Sequence, residues 1–192
     1  MRLMAANSKT DRDEGVETGR DSQPAEKSFA ELLAERQVAG LSVDLGAMAA
    51  VSNIHRAAMQ IRNYFEQGVL RDSNLTWSGF VTLWVLWIWG ETQSRWLAEE
   101  VGVSRSTLSG ILKTLEARGL LERRVHEDDA RLLVAELTAT GTRLIATLFP
   151  QWNAEERFVV SGLSDDGLRR LTNALRTIHE TITTRRPGQS LS

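Results

Sequence analysis

The sequence predicts a mainly α-helical protein with one small β-hairpin, and three observations lead there. Apolar side chains recur at three- and four-residue spacing along most of the 192 residues. Ser, Thr and Gly sit where caps start and stop those periodic runs. A capped, polar-faced helix over 104–118 is followed directly by a strand–turn–strand stretch over 120–137. The chain is long enough for one domain, or one domain with an extension. At 42% hydrophobic residues it reads as a globular protein. No apolar run approaches the roughly 20 residues that span a bilayer. Residues 1–23 are charged and lack the apolar stretch of a secretion signal, so the expected location is the cytoplasm. The absence of cysteine excludes disulfides, thiolate zinc sites and thiol redox sensing.

Residues 1–27 mix charges with Ser, Thr and Gly and carry little to bury, which predicts a disordered or weakly ordered extension. Ser28-Phe29-Ala30-Glu31 fits a capping box that opens a short helix ended by Gly40. Over 45–69 a long helix is expected from Leu45, Met48, Ala49, Ser52, His55, Met59, Arg62 and Phe65. Polar groups on that inner stripe suggest a partner helix or a wet cavity; the plainer alternative is a core histidine and a surface arginine. Leu75-Thr76 caps a helix over 77–89 that Gly90 closes. It holds four of the six tryptophans, and Trp77, Phe80, Val81, Trp84 and Trp87 share or border one face. Two readings stand: core packing, or an aromatic-lined pocket with His55 or Arg62 as its polar groups.

Ser94 is expected to cap a short helix over 95–100, and Gly102 to turn the chain before Ser104. In the next helix Leu108, Ile111, Leu112 and Leu115 form a buried stripe, which leaves Arg105, Ser106, Thr107, Ser109, Gly110 and Lys113 on the opposite face. Small and hydrogen-bonding groups in the N-terminal half of such a helix suit base edges and phosphates in a DNA major groove. The following hairpin has its tip at 127–131. Thr138 caps a long helix over 139–160 that Pro150 should kink or break. Leu163-Ser164 starts a last helix carrying Leu168, Leu171, Leu175, Ile178 and Ile182, and 185–192 is a polar tail.

Two short helices joined by Val101-Gly102-Val103 and followed by a hairpin make a winged helix-turn-helix, a unit that also occurs in proteins that never touch DNA. The net charge of −2 does not announce a nucleic-acid binder, but 104–124 holds five cations against two carboxylates. Enzyme chemistry finds no support: three scattered histidines, no nucleophile–base spacing and no phosphate-binding glycine loop. No cofactor is implied, and His55 and His179 lack the close spacing of a metal site.

The wing is the specific part. Asp129-Ala130-Arg131, then Leu133-Val134-Ala135-Glu136-Leu137-Thr138 and Gly141, resembles the MarR family signature, a D-x-R at the wing tip before a strand ending in L-T-x-x-G. Leu97-Ala98-Glu99-Glu100 with Val103-Ser104, and Leu115-Glu116-Ala117-Arg118-Gly119-Leu120, are similar to that family's helix-turn-helix and its junction to the wing. Leu75-Thr76 and Gly162-Leu163-Ser164 also sit where the family has them, so the likeness spans about 45–184. It implies a homodimer, with dimerisation helices in 28–74 and 139–184 around a winged helix-turn-helix DNA-binding domain over 75–138. A small-molecule pocket is implied between the interface and the reading heads.

Carried over, Arg131 is the arginine that enters the minor groove and Asp129 the carboxylate that orients it, the plain alternative being a surface salt bridge at a turn. Ala130 departs from the pattern, since many members carry a second basic residue there. The expected DNA contacts are Ser94, Ser104, Arg105, Ser106, Thr107, Ser109, Lys113, Arg123, Asp129 and Arg131; the expected ligand contacts are His55, Met59, Arg62, Phe80, Trp84 and Trp87. The expected function is a dimeric transcriptional regulator, a repressor released from a pseudo-palindromic operator in double-stranded DNA by a small hydrophobic or aromatic ligand. The alternative is a winged-helix protein-interaction module without DNA binding.

Overall fold

A computed structural model describes residues 26–126 and 133–184. The expected extension, apart from its last two residues, the wing tip with Asp129 and Arg131, and the C-terminal tail lie outside the described residues. The chain divides into two compact units, one over Lys27–Val160 and the other carrying the last helix.

The first unit begins with α1, Phe29–Gln37. Its capping box is present: Glu31 N–H donates to Ser28 Oγ, and the Glu31 carboxylate accepts from Ser28 N–H. The helix ends at Val38 rather than Gly40. α2, Leu45–Gln67, is capped by Asp44, and Phe65 alone along it is buried. The periodic stripe read from the sequence is therefore outward-facing over most of its length; spacing identifies a face but not what covers it. Polar contacts hold α1 to α2. Glu31 accepts from Asn53 Nδ2 at 2.7 Å, and Arg56 reaches Ser28 Oγ at 3.0 Å and Glu31 at 3.4 Å.

The hydrogen bond from Asn53, followed by those from Ser28, lowers the Glu31 pKa from 4.5 to about 2. A depressed carboxylate pKa adds stability that is complete above 4.5, declines as pH falls below it and is gone once pH drops through about 2. Glu31→Gln should therefore speed amide exchange in α1 at neutral pH and leave α3 and α5, described below, unchanged. The gap between variant and wild type should narrow as the pH is lowered from 4.5. Equal protection at pH 7 would show that the carboxylate does not fasten α1.

α3, Trp77–Trp89, starts at a Thr76 cap and stops at Gly90, whose φ of 72° needs a residue without Cβ. Glu66 of α2 supplies a second cap by accepting from Trp77 N–H at 2.8 Å. After α3 comes a strand the sequence did not announce, β1 (Thr92–Gln93). α4 runs from Ser94 to Val101 and α5 from Arg105 to Ala117, joined through Gly102 in the left-handed region. β2 (Leu121–Val125) and β3 (Leu133–Leu137) pair antiparallel, Leu121 opposite Leu137, and β1 adds to the free edge of β3 in the order β1-β3-β2.

α6, Ala139–Val159, continues through Pro150, so of the kink or break expected there the break does not occur. Leu148 and Trp152, buried on either side of the proline, hold both halves to the core and offset the one backbone hydrogen bond it removes. The entry to α6 gives a physical reason for the L-T-x-x-G pattern. Thr138 Oγ1 accepts from Gly141 N–H at 3.1 Å and donates to the Gly119 carbonyl at 2.7 Å. A Cβ on Gly141 would lie 1.9 Å from the Leu120 carbonyl oxygen. The helix can start this close to the strand only because residue 141 has no side chain.

The core is centred on Trp152. Its ring stacks on Phe80 with centroids 3.8 Å apart and meets Phe65 at 4.1 Å and Trp77 at 5.0 Å, joining α2, α3 and α6. In the second unit, α7 runs from Asp165 to Thr184 behind a Ser164 cap and buries no residue. Its stripe of Leu168, Leu171, Leu175, Ile178 and Ile182 remains 37–68% exposed.

Candidate nucleic-acid interface

α5 lies amphipathically on the rest of its unit. Leu108, Leu112 and Leu115 are buried and Ile111 is half-buried, whereas Arg105, Ser106, Thr107, Ser109, Gly110 and Lys113 are all exposed. The N-terminus of α5 is organised by Ser104, whose Oγ accepts from Thr107 N–H at 3.1 Å. The same oxygen lies 2.8 Å from both Ser106 Oγ and Thr107 Oγ1, so three hydroxyls form one cluster at the start of the helix. Arg105 and Lys113 make no ion pair among the described residues.

Beside this face a cleft of about 190 Å³ runs between α4, α5 and the sheet. Leu108, Leu112 and Leu133 form its apolar side, and Ser94, Arg95, Arg105, Ser109 and Arg123 its polar side. Four of the expected DNA contacts, Ser94, Arg105, Ser109 and Arg123, thus line one depression at the base of the outward face. Ser94 does not cap α4 as expected. It is the first helical residue, Gln93 occupies the cap position, and Ser94 Oγ donates to the Leu133 carbonyl at 3.1 Å, tying the helix to the wing. The sequence reading passed over Arg95, whose guanidinium lies 4.6 Å from the centre of the Trp96 ring. The sole signal for it was an arginine one position into the helix.

The five cations of 104–124 are not equivalent. Arg123 is committed to Glu116, donating Nε–H at 3.0 Å and a second N–H to the same carboxylate oxygen. This hydrogen-bonded pairing lowers the Glu116 pKa and raises that of Arg123. Arg124 pairs with Glu91 and lies 3.8 Å from Glu136. Arg118 donates to the Ser73 and Asn74 carbonyls, each at 2.7 Å, and so closes the turn before α3. The local excess of positive charge read from the sequence therefore reaches outward chiefly through Arg105 and Lys113.

The expected ligand residues are spread across α2 and α3. His55, Met59 and Arg62 are exposed, with Arg62 3.4 Å from Glu66. Phe80 belongs to the core stack on Trp152. Trp84 and Trp87 flank Phe149 at 6.5 and 5.7 Å, and the buried Trp84 Nε1 finds no acceptor among the described residues. Those residues contain no cluster of three His, Asp or Glu groups able to hold a metal ion. Nor do they contain a helix long and apolar enough to cross a membrane.

Comparison with known proteins agrees with this geometry. The model of the MarR family matches residues 75–133, which takes in the two short helices and the first half of the wing. The HTH-type transcriptional regulator YwaE of Bacillus subtilis, itself uncharacterised, is 32% identical over 143 residues, covering 74% of this chain and 84% of its own. A mutant of MarR from E. coli, solved in complex with operator DNA, superposes with a TM-score of 0.64 at 18% identity over 71% of this chain and 99% of that one. BpsR of Bordetella bronchiseptica, from work on regulation of its DNA binding by 6-hydroxynicotinic acid, gives 0.63 at 24% identity over 68% and 98%. At these identities the two structural likenesses establish the fold.

Proposed function

The chain belongs to the MarR family of transcriptional regulators, and from that membership we propose that it acts as a homodimer on a pseudo-palindromic operator and is released by a small aromatic or hydrophobic ligand. The observation that carries the reading is the outward face of α5. Its buried leucines fix the helix to the unit, while Arg105, Ser106, Thr107, Ser109 and Lys113 are left to meet base edges and phosphates. Ser104 and Ser94 steady the ends of this reading unit, and Arg123, held by Glu116, acts mainly by positioning β2 against α5. In a two-fold dimer the two α5 helices address half-sites about one helical turn apart.

The tryptophan side of α3 is the proposed effector site. Trp84, Trp87 and Phe149 offer ring faces, and Trp84 Nε1, unpaired among the described residues, offers a donor to a polar ligand atom. A ligand that binds better to a dimer with wrongly spaced heads shifts the population away from the DNA-binding state and so releases a repressor from its operator. The commitment of Arg118, Arg123 and Arg124 within the fold favours one second reading, a protein-interaction module.

One experiment separates the two. Fluorescence anisotropy with DNA fragments selected by the wild-type chain, repeated over a salt series, should show tight, salt-dependent binding. Arg131→Ala should weaken it by about 1–3 kcal/mol. Aromatic effectors should lower the affinity while quenching tryptophan fluorescence. Absence of any selected or salt-dependent binding would leave the interaction module as the function.

A further inference from the structure

Glycine is the least favourable residue after proline inside a helix, so a mid-helix glycine needs a reason. The glycines of α2, α3 and α6 sit in first turns, each with a neighbour close by. A Cβ on Gly46 would meet the Asp44 cap at 3.2 Å, one on Gly79 the Thr76 cap at 3.2 Å, and one on Gly141 the Leu120 carbonyl oxygen at 1.9 Å. Gly110 in α5 is different. A Cβ there would find nothing within 4 Å, and the residue is exposed. Its backbone is not in the left-handed region that would require glycine.

Gly110 sits in the middle of the outward face, one turn from Ser106 and Thr107 on one side and three residues from Lys113 on the other. Thr114 Oγ1 donates to its carbonyl oxygen at 3.0 Å, so the helix keeps its own hydrogen bonding there. The glycine also borders a groove of about 320 Å³ that separates α5 from the start of α3, with Thr107, Thr114 and Arg118 as neighbours.

We propose that Gly110 is the point of closest approach between α5 and DNA, kept bare so that the helix backbone can seat against a base edge. The inference rests on the DNA-binding reading of the same face and names the residue that sets how deeply the helix enters the groove. The chain itself gains nothing from the missing methyl group, which costs helix stability; the partner outside gains the space. Ser106, Thr107 and Ser109 keep the surrounding surface short and hydrogen-bonding, so a larger side chain at 110 would be the first atom to touch the duplex.

The test uses two readouts that move in opposite directions. Gly110→Ala should raise the melting temperature by roughly 2–4 °C. It should also weaken binding to DNA selected by the wild-type chain from a random library by roughly tenfold or more. Gly110→Leu should weaken it further and leave the salt-dependent binding to unselected DNA much less affected. A purely structural role predicts the stabilisation with unchanged affinity, and that result overturns the proposal while leaving DNA binding intact. If the wild-type chain selects no DNA at all, the reading of the whole face fails and this inference with it.

Discussion

Trp152→Ala should lower the stability of the first unit by about 3–5 kcal/mol, a large part of the 5–15 kcal/mol typical of a whole domain. The indole is 4% exposed and stacks on Phe80 at 3.8 Å, with Phe65 and Trp77 against it at 4.1 and 5.0 Å. Those four rings come from α2, α3 and α6, so truncating the central one leaves a cavity that no single helix can close by shifting. The substitution also removes the donor that Glu156 accepts at 2.7 Å. Aromatic pairs add about 0.5–1.5 kcal/mol beyond the area they bury, so Trp152→Phe should recover most of the loss by restoring the stack on Phe80. Urea unfolding followed by far-UV circular dichroism measures both variants. A cost below 1 kcal/mol for the alanine would mean that the rings repack around the gap, and that Trp152 fills the core without organising it.

Local chemistry was legible in the sequence where one short segment carried both the signal and its cause. The caps at Ser28, Thr76, Ser104 and Thr138 are such cases, as are the buried leucines of α5, because each depends on neighbours three or four residues away. Ser94 looked like another cap. The Leu133 carbonyl, 39 residues on, takes its hydroxyl instead, and no local rule contains that competitor. β1 escaped notice because two residues show no alternation; it exists only as an addition to β3.

In an isolated helix Pro150 would kink or break the chain; Leu148 and Trp152 fix the helix on both sides of it, and no break occurs. The charge count around α5 could not show which cations are engaged within the fold, since Arg118, Arg123 and Arg124 find partners on other elements. The family signature ran the other way. Thr138 and Gly141 were recognised as a pattern first, and the close approach of Leu120 explains them physically.

The second large effect is expected at α7, where Leu171→Glu combined with Leu175→Glu should convert the proposed dimer to monomers and abolish operator binding. Leu168, Leu171, Leu175, Ile178 and Ile182 fall on one face at helical spacing, and each remains 37–68% exposed. A face this apolar along a 20-residue helix is one that gains by being covered. In a two-fold interface each substitution counts twice. Losing a leucine contact costs on the order of 2 kcal/mol, and a carboxylate placed in the contact costs more because it must be desolvated or protonated. The dissociation constant of the dimer should therefore rise by several powers of ten.

Operator binding should fall with it, because two linked heads reach their half-sites at a high effective concentration and separated heads do not. Asn173→Glu, on the opposite face of α7, should change neither property and controls for the added charge. Sedimentation velocity at micromolar concentration reads the assembly, and circular dichroism checks that the first unit stays folded. A double variant that sediments as a dimer would move the interface away from α7 and leave its apolar stripe to another partner.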